Sequence, residues 1–203
     1  MAKLKAPLLS MGAAGQLGKT LVFFPWKGLN VAREYVTPAN PNTALQVTQR
    51  GYVTAAVAMI HAAQALAVDP LNADDIMAYT LLANQNATPR TWFNEFVKQY
   101  VNQNIAALKG AIYRAGTTTP AAASLDVEVS WTKQGANDIT AGNFHYGTSP
   151  SALIYTEPAV VAATLTATLA GLTAGVKYYW QFRATVHADF VGTRSGIYYG
   201  RPT

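Results

Sequence analysis

The sequence predicts an α+β multidomain chain: an N-terminal arm with a β-hairpin, a small helical unit, and then an all-β sandwich. Three observations carry this. Apolar residues recur every three or four positions after Ala44, the period of a helix face. From Leu125 the period switches to two, the period of a strand face. The 203 residues are half apolar and only 12% charged, enough for more than one small core and unlike the charge-rich make-up of disorder. The expected boundaries are 1–43 for the basic arm and hairpin, 44–115 for the helical unit, 116–123 for a linker and 124–203 for the sandwich.

Residues 1–18 read as an extended arm, and its end, "AAGQLGKT" (13–20), has the outline of a phosphate-binding loop. Such a loop needs a buried strand before it and a helix after it, so that free backbone amides face the anion. Here Pro7 breaks the preceding segment, and "TLVFFPWKGLNVAREYV" is β-branched and aromatic rather than helical. The glycines are therefore expected to lead into a hairpin, with Thr20–Phe24 pairing with Leu29–Val36 about a Lys27-Gly28 turn. Pro38 and Pro41 bar helix from "TPANPNT" (37–43).

Three helices are expected next. The first starts at Ala44 and buries Val53, Ala56, Val57, Ile60, Ala63 and Ala67; Asp69-Pro70 ends it. The second follows Asn72 or Asp74, with its acids in the first turn, where the helix dipole favours them. The third follows Thr88-Pro89, runs to Tyr113 and buries Phe93, Phe96, Val97, Tyr100, Val101 and Ile105. Three short helices bury little, so this unit is expected to lean on the hairpin or on a partner. "RAGTTTPAAAS" (114–124) reads as a linker of small residues. "LDVEVSW" then places Leu125, Val127, Val129 and Trp131 on one strand face, and "VKYYWQFR" places Tyr178, Trp180 and Phe182 on another.

Composition excludes several chemistries. With no cysteine, the chain makes no disulfide, no thiolate metal site and no thiol nucleophile. His61, His145 and His187 share no metal-ligand spacing. Neighbouring Asp74 and Asp75 on a helix point in different directions and do not form a carboxylate pair. No nucleophile-elbow motif is present. Nothing points to an enzyme, a cofactor or a metal. No apolar run is long enough for a membrane span, and the N-terminus reads as mature rather than as a signal peptide. The net charge of +5 at pH 7 has an uneven origin. Lys3, Lys5, Lys19, Lys27, Arg33 and Arg50 face Glu34 alone in the first fifty residues, while the remainder is balanced. Such an arm seeks an acidic surface, protein or nucleic acid.

Two resemblances follow. In "LAGLTAGVKYYWQFRATV", Leu172, the turn Thr173-Ala174-Gly175 and Tyr178 are spaced as in the fibronectin type III family, and Trp131 resembles that family's core tryptophan. The resemblance, over about residues 122–203, implies a fibronectin type III-like sandwich in which Tyr178 ties its hydroxyl to backbone. Further upstream, "GKTLVFFPWKGLNVAREYVTPANPNTALQVTQR" followed by "TWFNEFV" resembles tailed-phage virion structural proteins, many of which continue into an immunoglobulin-like or fibronectin-like module.

That resemblance implies a virion, assembled in the host cytoplasm, and a non-enzymatic capsid decoration or head accessory protein. The expected partners are the major capsid protein or other virion subunits, with self-association into a homo-oligomer. The anchor residues would be Lys3, Lys5, Leu8, Leu9, Lys19, Phe23, Phe24, Trp26, Lys27 and Arg33. Tyr179, Tyr198 and Tyr199 form a possible exposed interface, although plain β-propensity explains the same residues. The alternatives are a tail, baseplate or neck component, a host-surface glycan-binding module using exposed aromatics, and a DNA-contacting head protein using the basic arm.

Overall fold

The computed structural model describes residues 2–4, 14–37, 42–186 and 189–203, which divide into two units, Met1–Thr43 and Ala44–Thr203. The first unit is an antiparallel sheet of β1 (Ala2–Leu4), β2 (Gly15–Leu17), β3 (Leu21–Trp26) and β4 (Leu29–Glu34), in the order β1-β4-β3-β2. β3 and β4 form the hairpin. Trp26 pairs with Leu29, so Lys27 and Gly28 alone make the turn. Both take positive φ, 48° and 76°, the combination whose twist matches that of the flanking strands. Glycine adopts it without strain; Lys27 does so at a cost. The arm expected over residues 1–18 is partly strand. β1 adds to β4 and β2 adds to β3, because a bare hairpin leaves unpaired N–H and C=O groups along both edges. Gly18–Thr20 is a turn, closed by Thr20 N–H donating to Leu17 O at 3.0 Å.

The second unit begins with α1 (Ala44–Gln64), α2 (Ala73–Asn84) and α3 (Trp92–Ile105). Asn72 and Asp75 close a capping box on α2, and Thr91 caps α3. α3 stops well short of Tyr113. Leu108 N–H donates to Gln103 O at 2.9 Å and Ala107 N–H to Asn104 O at 3.1 Å, a Schellman termination with Ala107 at φ 59°. Val53 and Ile105, expected on buried faces, are exposed; the buried α1 residues are Ala56, Met59, Ile60 and Ala63.

Two four-stranded antiparallel sheets follow. One runs β5 (Ala111–Ala121), β6 (Ser124–Lys133), β10 (Leu165–Ala170), β9 (Val160–Val161). The other runs β12 (Tyr198–Gly200), β11 (Tyr178–Val186), β7 (Ala141–Gly147), β8 (Tyr155–Pro158). Leu125, Val127, Val129, Leu165 and Leu169 of the first sheet and Phe144, Trp180 and Phe182 of the second bury into one core. Each such side chain contributes on the order of 1.5–3 kcal/mol. The fully buried tryptophan is Trp180, whereas Trp131 is half-buried against the core.

The linker expected at 116–123 is instead strand as far as Ala121, followed by a two-residue turn. Thr117, Thr118 and Thr119 pair with Glu128, Val127 and Asp126, since β-branched threonines fit a pleated edge as readily as a loop. Pro120 is tolerated there because β5 is an outer strand. The helices also do not form a separate unit. Their apolar faces close over Ile112 of β5 and over Ile197, next to β12, in a second core with Ile60, Tyr79, Leu82, Phe96 and Tyr100. A glycine makes this docking possible. A Cβ at Gly196 would lie 2.6 Å from the Ala78 carbonyl carbon, and the adjacent Ile197 N–H donates to Ala78 O at 2.9 Å.

Candidate functional site

The N-terminal sheet exposes apolar side chains on both of its faces. Cross-strand partners share a face, so the register assigns them. One face carries Val22, Phe24, Trp26, Leu29, Val31 and Arg33; the other carries Leu17, Leu21, Phe23, Pro25, Ala32 and Glu34. Val31 and Ala32 are buried, and Phe23 and Phe24 are half-buried on opposite faces. Leu17 (51% exposed), Leu21 (39%), Trp26 (54%) and Leu29 (46%) remain open. A sheet normally hides one face; here neither is polar throughout. Cations sit on the aromatic groups: Lys27 Nζ is 6.0 Å from the Trp26 ring centroid, and the Arg33 guanidinium is 5.4 Å from that of Phe24.

The expected anchor residues thus fall into three groups. Phe23, Phe24, Trp26, Lys27 and Arg33 share one hairpin, and Lys19 is exposed in the Gly18–Thr20 turn. Lys3 lies in β1 opposite Val31. Lys5, Leu8 and Leu9 lie outside the described residues, as does His187. Sequence reading missed Leu17 and Leu29, although Leu29 sits directly across the turn from Trp26 and so shares its face. Leu45, Val47 and Val53, on the first turns of α1, are exposed as well.

The expected tyrosine interface needs correction. Tyr198 is buried, because register pairs it with inward-facing Trp180, on whose ring it stacks at 4.5 Å. Tyr199 is exposed and Tyr179 half-buried, and Lys177 Nζ lies 3.6 Å over the Tyr199 ring.

Asp75 joins three elements of the second unit. It is fully buried, and its two oxygens accept four hydrogen bonds. Oδ2 accepts from the N–H groups of Asn72 (3.0 Å) and Ala115 (2.9 Å), and Oδ1 from Gly116 N–H (3.0 Å) and Tyr198 Oη (2.7 Å). The carboxylate therefore bolts the start of α2 to a bulge in β5 and to β12. A cavity of about 400 Å³ opens beside this joint, lined by Asp74, Met77, Leu81 and Tyr199 among others.

His61 is exposed on α1. His145 is half-buried, and burial together with the Arg183 charge lowers its pKa. Among the described residues, no three His, Asp or Glu side chains gather as a metal site. No described helix is long and apolar enough to cross a membrane.

No protein-family model, curated protein or solved structure matches the chain.

Proposed function

We propose that this is a non-enzymatic structural protein of a tailed-phage virion, a head accessory or decoration protein whose N-terminal sheet binds coat subunits while the second unit is displayed. One observation carries the reading: a sheet with open apolar side chains on both faces, flanked by Lys19, Lys27 and Arg33. The basic excess of the whole chain lies in its first fifty residues, so the complementary surface is acidic. The resemblance of residues 10–110 to tailed-phage structural proteins supplies the virion context.

Magnitudes favour a lattice over a single partner. Leu17, Leu21, Trp26 and Leu29 each retain roughly half their surface, so covering all four contributes about 3–6 kcal/mol. Association alone costs a comparable amount, which makes one contact weak. Many copies on a repeating shell convert weak contacts into stable attachment.

The displayed part reads as a fibronectin type III-like sandwich. The order β5-β6-β10-β9 against β12-β11-β7-β8 parallels the A-B-E-D and G-F-C-C′ arrangement of immunoglobulin-like domains. Thr173 N–H donates to Tyr178 Oη at 3.2 Å, the bond of a tyrosine corner.

The test is rebinding. Purified protein added to heads stripped of it is expected to return at high copy number, and a form lacking residues 1–36 is expected to stay in solution with its second unit folded. Normal rebinding by the truncated form defeats the reading. Binding that instead goes to duplex DNA and falls steeply with salt supports the nucleic-acid alternative.

A further inference from the structure

Arg183 and Arg194 stand opposite each other across an isolated antiparallel bridge. Both line a cleft of about 350 Å³ whose other walls are Gln99, Asn102, Gln103 and Gly192, and both also border a second, smaller cleft. Each guanidinium is aimed by a buried polar side chain. Arg183 Nε donates to Gln181 Oε1 at 2.9 Å, and Gln181, 1% exposed, is fixed in turn by donating Nε2 to Ser195 O at 2.8 Å. Arg194 Nη2 donates to Glu95 Oε1 at 3.3 Å. Glu95, also 1% exposed, accepts from Asn86 Nδ2 at 3.1 Å and Gln99 Nε2 at 3.0 Å.

The charges do not balance. Glu95 serves Arg90 as well, 3.5 Å away, and Arg183 has no acidic partner among the described residues. Partial burial and the neighbouring Arg194 charge both disfavour the Arg183 cation, lowering its pKa. A positive pair in a half-desolvated concavity attracts an anion, and guanidinium forks match an oxyanion's geometry. The cleft walls narrow the choice of anion. Three of them carry neutral amides, Gln99, Asn102 and Gln103, and Gln103 Nε2 is already donating to Val191 O at 3.3 Å.

We propose that this cleft binds an acidic sugar, with its carboxylate on Arg183 and Arg194 and its hydroxyls on Gln99, Asn102 and Gln103. The neutral amides both donate and accept, as a hydroxylated ring requires, and the arginine pair selects for the acid.

Calorimetric titration of the full-length protein with D-glucuronate tests this, with glucose, acetate and inorganic phosphate as controls. Glucuronate is expected to saturate in the millimolar range, and each control to bind roughly ten-fold or more weakly. Arg183→Gln is expected to weaken glucuronate about ten-fold with an unchanged melting temperature. Asn102→Ala, on the exposed rim, is expected to weaken glucuronate and leave acetate unaffected. The site assignment is overturned if glucuronate fails to saturate by roughly 50 mM, if Arg183→Gln folds and binds like wild type, or if acetate or phosphate matches glucuronate.

Discussion

Asp75→Asn removes the charge at the joint between helices and sheets with almost no change in volume. The carboxylate accepts four hydrogen bonds, three from backbone N–H groups and one from Tyr198. An asparagine keeps one oxygen, so two of the four are lost, and its NH₂ is turned toward donors it cannot satisfy. Hydrogen bonds to a charged group contribute about 1.5–3 kcal/mol each, so the expected loss is about 3–6 kcal/mol. Against a typical total of about 5–15 kcal/mol, that is a large fraction of stability. In a unit of this size it lowers the melting temperature by roughly 6–24 °C. Urea unfolding followed by circular dichroism measures it, and amide exchange at Ala115 and Gly116 localises it. Tyr198→Phe removes one of these bonds and is expected to cost about 1.5–3 kcal/mol. The double variant is expected to lose less than the two single losses added together, because they share a bond. An Asp75→Asn protein within about 1 kcal/mol of wild type refutes the claim that this carboxylate joins the layers.

Two further perturbations probe the same unit. Burial holds the hydroxyls of Tyr79, Tyr113 and Tyr198 protonated well above the ordinary tyrosine value, and the Asp75 carboxylate adds to this at Tyr198. The folded pKa values are raised, so their contribution is intact below the unfolded value of about 10 and declines as pH rises above it. The decline is about 1.4 kcal/mol per pH unit per tyrosine, roughly 4 for all three, and Tyr198→Phe is expected to remove a third of the slope; urea midpoints that stay flat above about pH 10 contradict this. At the end of α3, Ala107→Gly is expected to stabilise by about 1 kcal/mol, because Ala107 holds a left-handed conformation that glycine adopts freely; an unchanged midpoint in thermal unfolding contradicts that.

Features set within a few residues of chain were legible in the sequence. The first two helices start where Ala44 and Asn72 stand, because caps and 3.6-residue periodicity are local, whereas the third starts after Thr91 rather than after the expected Thr88-Pro89. The hairpin turns at Lys27-Gly28 because few residue pairs accept two positive φ angles. Alternation in "LDVEVSW" and "YYWQF" buries Leu125, Val127, Val129, Tyr178, Trp180 and Phe182, because successive strand residues point to opposite faces.

What pairs with what was decided only by the tertiary structure. The threonine run at 117–119 has no periodicity of its own and becomes strand by pairing with β6. Tyr198 and Tyr199 are equivalent as local sequence, yet the register with β11 turns one onto Trp180 and the other to solvent. Asp75 reads as an ordinary helix-start acid until Ala115, Gly116 and Tyr198 reach it from other elements. The physical reason is the same in each case: a cap or a turn is satisfied by its neighbours in the chain, whereas a register, a buried carboxylate or a facing pair of arginines is satisfied by groups that only folding brings within a few ångströms.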